Sequence, residues 1–428
     1  MEINFREIGI VQDVYSFMSR ATNYQKNASE YIYSNFGIPL LKSQLNWENE
    51  DPDTNLAAYI AAKADGKMAL DHYVRDCNGD YATIQSRFRS KEALKYNDVT
   101  IRYDMPCTSN YLGETTKCEF YHIDADLFLY GVCDTNFAKR EDITGLKKWI
   151  ILDLGIFRKL CEKGKIVPNE TASSNILKDG VLTCNIKSNV DERATRLMVV
   201  DICKLYSLSK DIIIAQEGYL NNFTNRKVTF KDLNIQQPVT KTDAIYTKLI
   251  PPLVNTFGWK DMCASSDLET FLVWKTAKKL TGGHFLKDAN NNLASLHTRF
   301  RNPSAAYYND FTIRYDRLVD GKVQECEFYS MYEDLYLYGV CNKDITNISE
   351  VSKLEKYALI NMSVIRKLLK DGKIIPNETI KTSQIIDGVL NCKIKNNVRE
   401  NDSRFLTVDI PLLNTLSKDA IVLQKGYI

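Results

Sequence analysis

The chain is poor in histidine, with four in 428 residues: His72, His122, His284 and His297. None forms a triad or an HxxxH pattern, which removes the familiar helical metal pair and any spaced histidine nucleophile motif. There is no CxxC pair among 11 cysteines. Their number is odd, and Cys133 in "LFLYGVCD" and Cys341 in "LYLYGVCN" lie inside apolar, strand-like runs. This pattern implies buried free thiols in a reducing compartment, not a disulfide or zinc framework. A phosphate-cradling glycine loop and a nucleophile elbow are also missing. No apolar run approaches the roughly 18 residues of a membrane span. The opening "MEINFREIGIVQDVYSF" lacks a basic start followed by an apolar core, so no signal peptide is expected. The expectation is a soluble, cytoplasmic protein with no membrane partner, in which the "NET" sequons at 169 and 377 carry no meaning.

Excess charge of either sign is missing too. There are 56 basic and 54 acidic residues, a net charge of +2. Such a balance excludes a chain that coats nucleic acid by bulk charge, and leaves room for a local basic groove. Hydrophobic residues at 44% and charged residues at 26% describe a globular chain, and the length allows two or three domains.

What is present is a duplication. "NDVTIRYD" (97–104) returns as "NDFTIRYD" (309–316), an offset of 310 − 98 = 212. The same offset links Trp47 to Trp259, Ile38-Pro39 to Ile250-Pro251, and "SRFR" (86–89) to "TRFR" (298–301). A loop four residues longer then follows in the first copy, and the offset becomes 208. It links "CEFY" (118–121) to "CEFY" (326–329) and "DLFLYGVC" (126–133) to "DLYLYGVC" (334–341). "GKIVPNET" and "GKIIPNET", "DGVL" and "DGVL", "EGYL" and "KGYI" continue the match. The expected organisation is an N-terminal helical extension (1–28), repeat 1 (29–220), a polar linker (221–240) and repeat 2 (241–428). A unit of about 190 residues can bury its own core, and a fused pair resembles a covalently joined homodimer, a pseudo-dimer within one chain.

Each unit reads as mixed α/β, a tandem pair of α+β sheets. "ASSDLETFLVWKTAKKL" (264–280) has a helix cap and helical apolar spacing. In "DFTIRYD", Phe311, Ile313 and Tyr315 alternate with polar residues, as in a half-buried strand. "VDGK" is a hairpin signal, and "QECEFYSM" is expected to return as a strand with Glu325, Glu327 and Tyr329 on one face. "DLYLYGV" reads as a central strand, "KYALIN" as a strand, and "MSVIRKLLKDGK" as a helix ended by a glycine. Three further strands follow, in "GVLNCKIK", "RFLTVDI" and "AIVLQKGYI".

Acids on adjacent strands can hold Mg²⁺ or Mn²⁺, which activates a water and offsets charge on a phosphodiester, while arginines take the phosphates. A helix, an Asp-bearing strand, a hairpin and an acid-bearing return strand resemble the PD-(D/E)xK restriction-endonuclease-like nucleases, with their αβββαβ unit. That resemblance implies Asp310 as the motif Asp, Glu325 as the motif Glu, Glu327 at the Lys position and Glu269 as an accessory acid. In repeat 1 the matching residues are Asp98, Lys117, Glu119 and Ala57, so repeat 2 is the expected active copy and repeat 1 a scaffold or DNA clamp. A two-residue turn at Asp320-Gly321 makes partner numbers sum to 641. Asp316 then faces Glu325, Arg314 faces Glu327, and Asp310 lies roughly 10 Å or more from Glu327. Asp316 with Glu325 and Glu327 is therefore the alternative metal set. In repeat 1, Asp104 would face Lys117.

Blander roles compete with each of these. Asp98 and Asp310 can tie a turn. Arg314 with Glu327, and Arg102 with Glu119, can form cross-strand ion pairs. Arg87, Arg89, Arg299 and Arg301 suit phosphate contact or a solvated basic edge. The 24 tyrosines suit base stacking or core packing. The leading expectation is a DNA-acting protein with Mg²⁺-dependent phosphodiester hydrolysis in repeat 2. The alternatives are a catalytically dead nuclease fold that binds DNA or a protein partner, and an interaction protein of viral or mobile-element type.

Overall fold

The computed structural model describes residues 23–428 apart from 53, 69, 107–114, 137–141, 190–194, 237–243, 263, 277–283, 320–321, 398–402 and 428. It separates into a first unit ending at Gln237 and a second beginning at Pro238. Among the described residues each unit is a mixed α/β body with two six-stranded sheets, and the strand order is the same in both.

In the second unit one sheet runs Lys260–Met262, His284–Lys287, Leu293–Arg301, Leu335–Cys341, Leu354–Asn361, Ile421–Lys425. All neighbours are antiparallel except Leu293–Arg301 and Leu335–Cys341, which are parallel. Leu335–Cys341 is central and buried along its whole length, as its unbroken apolar text requires. The other sheet runs Lys322–Glu325, Asp310–Val319, Ser403–Asp409, Val389–Asn397, Ile374–Asn377, with Gln384–Ile386 also paired to Val389–Asn397. Phe311 and Ile313 point into a core with Tyr336, Tyr338, Leu406 and Val408, so strands of both sheets share that core. The expected hairpin register holds, with Asp316 opposite Glu325 and Val319 opposite Lys322. The helix Met362–Lys370 is capped by the Asn361 side chain and closed by Gly372 at φ +66°.

The first unit repeats this order with Asp98–Pro106 as its Asp strand and Leu127–Cys133 as its central strand. Asp104 lies opposite Lys117, as the sequence led us to expect. One difference is an insertion inside a helix. The π-helical turn Tyr33–Gly37 sets Ile38 five positions after Tyr33, where in the second copy Ile250 comes four positions after Tyr246. The extra residue keeps a shared feature in place, because Tyr33 stacks on His72 and Tyr246 on His284, each at 3.4 Å between ring centroids. The two histidines are 212 apart, the offset of this part of the repeat.

Two expectations are revised. "QECEFYSM" does not continue as a strand: pairing stops at Glu325, and Glu327–Ser330 is a helical turn. Glu327 therefore leaves the strand face it was expected to share with Glu325. The linker is also less separate than its polarity suggests. Phe230 is fully buried in the first unit's core, its N–H donates to Asp76, and Trp47 Nε1–H donates to the Val228 carbonyl. Residues 1–22 of the expected N-terminal extension lie outside the described residues, which begin with helix Asn23–Ile32.

No helix among the described residues is long and apolar enough to cross a membrane. The nine cysteines among them are all free.

Candidate functional site

The acids named by the nuclease resemblance do not converge. Asp310 and Asp316 are six residues apart on one strand, about 20 Å at the usual rise. Asp316 is 4% exposed and is gripped from both carboxylate oxygens by Arg404, whose Nη1 also meets Glu378 at 2.7 Å. Asp104, Arg196 and Glu170 form the same trio in the first unit. Glu269 belongs to a capping box: its N–H donates to Ser266 Oγ, and its carboxylate accepts from Ser265. Ala57 stands in its place in the first copy.

Glu327 is a clamp. One oxygen takes the Arg314 backbone N–H at 3.1 Å and Arg299 Nη1 at 3.2 Å. Glu119 does the same with Arg102 N–H at 3.0 Å and Arg87 Nη1 at 3.3 Å. The helical turn aims the carboxylate at both sheets, which is why the strand ends there. The contacts seen between Arg314 and Glu327 and between Arg102 and Glu119 run through the backbone N–H, where cross-strand ion pairs of the side chains were expected. Arg87 and Arg299 are engaged by these acids. Among the described residues no three His, Cys, Asp or Glu side chains are arranged to hold a metal. Among the described carboxylates of this set, Asp316 is taken by Arg404, Glu327 by Arg299, His297 and the Arg314 N–H, and Asp310 by Lys395, while the Glu325 side chain lies outside the described residues.

The second unit adds two groups that sequence reasoning did not single out together. His297 Nε2 lies 2.8 Å from Glu327, and Nδ1 lies 3.3 Å from Glu333, which is 2% exposed. Burial pulls the imidazole pKa down, but the two carboxylates outweigh it and carry it up to about 9. Burial likewise pushes Glu327 up, and His297 and Arg299 more than offset this, leaving it below the usual carboxylate value. The first copy has Gln85 and Ala125 at these positions.

A second cluster occurs in both units, at the head of the Asp strand. Asp98 lies opposite Asp201, and Asp310 opposite Asp409. Burial raises the Asp98 pKa and Asp201 adds to this, against Lys187, Arg89 and Lys148. Lys395 meets Asp310 at 3.2 Å. Lys148 and Lys356 are each 7% exposed, and burial lowers their pKa. Lys148 Nζ donates to Tyr96 O and Asn97 Oδ1, and Lys356 Nζ to Ala306 O, Tyr308 O and Asn309 Oδ1. The rings of Tyr219 and Tyr427 lie 4.2 Å from these ammoniums, and their buried hydroxyls have no partner.

Arg89 and Arg301 complete the cluster. Both are half-buried, and each donates at 3.2 Å to a threonine hydroxyl, Thr100 or Thr312. Neither has a carboxylate within ion-pair distance among the described residues. Of the four arginines expected to meet phosphate, the outer two are therefore available and the inner two are spent. The lysines and tyrosines of this cluster stand in the sequence as identical residues 208 apart. Comparison with protein-family models, curated proteins and solved structures finds no match.

Proposed function

We propose that the chain is a tandem nucleic-acid-binding protein on a nuclease-like unit that has exchanged hydrolysis for binding. The observation carrying this reading is the duplicated, half-buried arginine without an acid partner, Arg89 and Arg301, set beside two lysines in each copy. A guanidinium held only by neutral hydroxyls, Thr100 and Tyr130 at Arg89 and Thr312 at Arg301, keeps donors for an anion, and its planar fork suits a phosphate. Two acids of the resemblance, Asp310 and Glu327, meet cations of the same chain, and Glu119 of the degenerate first copy does the same with Arg87.

One observation favours a second reading, hydrolysis in repeat 2: the His297–Glu333 pair occurs in that copy alone. The discriminating experiment joins a salt titration of DNA binding to a cleavage assay in Mg²⁺ or Mn²⁺ with EDTA controls. The binding reading expects affinity that falls steeply with salt, a slope reduced by about 1 in Arg89→Ala or Arg301→Ala, and intact DNA. Metal-dependent cleavage lost in Asp310→Ala or Glu325→Ala would restore the hydrolase reading. A folded sample that binds no DNA at low salt would end the nucleic-acid reading altogether.

A further inference from the structure

We infer that each unit carries a nucleotide subsite at the head of its Asp strand, with a phosphate at Arg89 or Arg301 and a base stacked on the neighbouring exposed tyrosine, so that the ligand is single-stranded nucleic acid. This rests on the nucleic-acid reading above and adds the form of the strand and the two chemical subsites.

The first support is the tyrosines themselves. Tyr307 is 91% exposed, Tyr308 57% and Tyr96 43%. Exposed rings of this size on a loose loop would be ordinary, but this loop is fixed. The Lys356 ammonium holds the carbonyls of Ala306 and Tyr308 at 3.2 and 2.8 Å and Asn309 Oδ1 at 2.7 Å. Lys148 holds Tyr96 O at 2.7 Å. The rings are therefore presented from an immobilised backbone, and little ordering entropy remains to be lost when a flat ligand lands on them. Nothing in the core of the unit requires them to be there.

The second support is the adjoining charge. Lys395 Nζ lies 5.2 Å from the Tyr308 ring centroid, and Lys95 Nζ lies 5.1 Å from that of Tyr96. A base stacked on either ring would place its backbone phosphate beside an ammonium. Further in lies the unpaired guanidinium of Arg89 or Arg301, the sequence neighbour of this loop.

A third support is independent of both. The hydroxyls of Tyr219 and Tyr427, in side chains 5% exposed, have no hydrogen-bond partner. Burial pushes their pKa up, so they are neutral donors, and their electrostatic neighbours include Arg89 with Asp98 and Arg301 with Asp310. A buried donor without an acceptor, in a cluster where three cations (Arg89, Lys148 and Lys187, or Arg301, Lys356 and Lys395) meet two acids, is a site short of one acceptor group. A phosphate oxygen supplies it. A duplex keeps its bases stacked on each other, and only a single strand can offer one to a tyrosine.

The test is fluorescence anisotropy of the full chain with a labelled oligothymidylate and with a duplex of equal length. The tyrosines are exposed, so their replacement does not threaten the fold. Tyr307→Ala/Tyr308→Ala, made in a chain that also carries Tyr96→Ala so that neither unit keeps its platform, is expected to weaken single-strand binding roughly tenfold with the salt slope unchanged, and the same positions changed to Phe to retain it. Arg301→Ala is expected to lower the slope by about 1. Single-strand binding indifferent to the alanine variant, or a duplex bound as tightly as the single strand, would overturn the subsite while leaving nucleic-acid binding in place. Binding to neither probe would remove the underlying reading and the subsite with it. A wild-type preference for single strands, lost in the alanine variant, would establish it.

Discussion

The second unit should lose stability as pH rises through the range where the first does not. The perturbation is deprotonation of His297, which sits between Glu327 at 2.8 Å and Glu333 at 3.3 Å. Its folded pKa is about 9, against 6.5 for an ordinary histidine. A raised pKa means that the proton is bound more tightly in the folded state. The stabilisation is therefore complete below pH 6.5 and is lost between pH 6.5 and 9. At 1.36 kcal/mol per pH unit, the 2.5-unit difference amounts to about 3 kcal/mol, and the partial exposure of the ring to solvent lowers this to about 2 kcal/mol. The assay is hydrogen exchange resolved by peptide across a urea series, at pH 6 and at pH 9, so that each unit reports its own unfolding. The first unit, with Gln85 and Ala125, is the control within the same chain. His297→Gln/Glu333→Ala should abolish the difference between units. A second unit whose stability follows the first across this range, or a double variant that keeps the pH slope, would refute the reasoning.

Three further outcomes follow from single contacts. Arg404→Ala leaves Asp316, 4% exposed, without its cation, and should cost the second unit about 3 kcal/mol by urea denaturation; Arg196→Ala should do the same to the first. Phe230→Ala should destabilise the first unit by about 3 kcal/mol and leave the second unchanged, because the ring is fully buried in the first unit's core. Lys356→Met removes the donor from Ala306 O, Tyr308 O and Asn309 Oδ1, and should speed amide exchange at 303–309 at least tenfold, since hydrogen bonds from a charged donor contribute about 1.5–3 kcal/mol each.

Much of the fold was legible because it depends on local periodicity and on repetition. The alternation in "DFTIRYD", the turn at 320–321 and the apolar run "DLYLYGV" each specify a strand or its register, and the observed pairing follows them. The helical turn at Glu327–Ser330 was not legible, because "CEFYS" has the alternation of a strand. What turns it is a tertiary demand: one carboxylate satisfies Arg299, His297 and the Arg314 N–H at once. The division into two sheets was hidden for a similar reason. Strand text does not say which sheet a strand joins, and here consecutive strands Leu293–Arg301 and Asp310–Val319 enter different ones. At the site, charge type was readable but partnership was not. "SRFR" and "TRFR" offer two arginines each, and only the three-dimensional placement of Glu119 and Glu327 separates the engaged arginine from the available one.

The duplication itself sorts these residues. Where both copies keep a charged pair, as with Asp104–Arg196 and Asp316–Arg404 or with Glu119–Arg87 and Glu327–Arg299, the pair is closed, and tying neighbouring strands in the first case and the two sheets in the second is sufficient reason for it. Both copies also keep a cation that closes nothing. A half-buried guanidinium with no acid in ion-pair contact gives up part of its hydration for little compensation, which weakens the fold, and two copies of one domain have had separate opportunity to replace it. The Asp that heads each repeated strand belongs to the same reasoning. Asp310 faces Asp409 and is relieved by Lys395, so it balances a cationic cluster instead of meeting the acids expected to share a metal with it. Its removal should therefore strengthen anion binding at that end of the unit. Asp310→Asn is expected to tighten oligonucleotide binding several-fold at low salt, an effect that fades as salt screens the charge. A hydrolytic Asp would give the opposite pattern, with cleavage lost and affinity little changed.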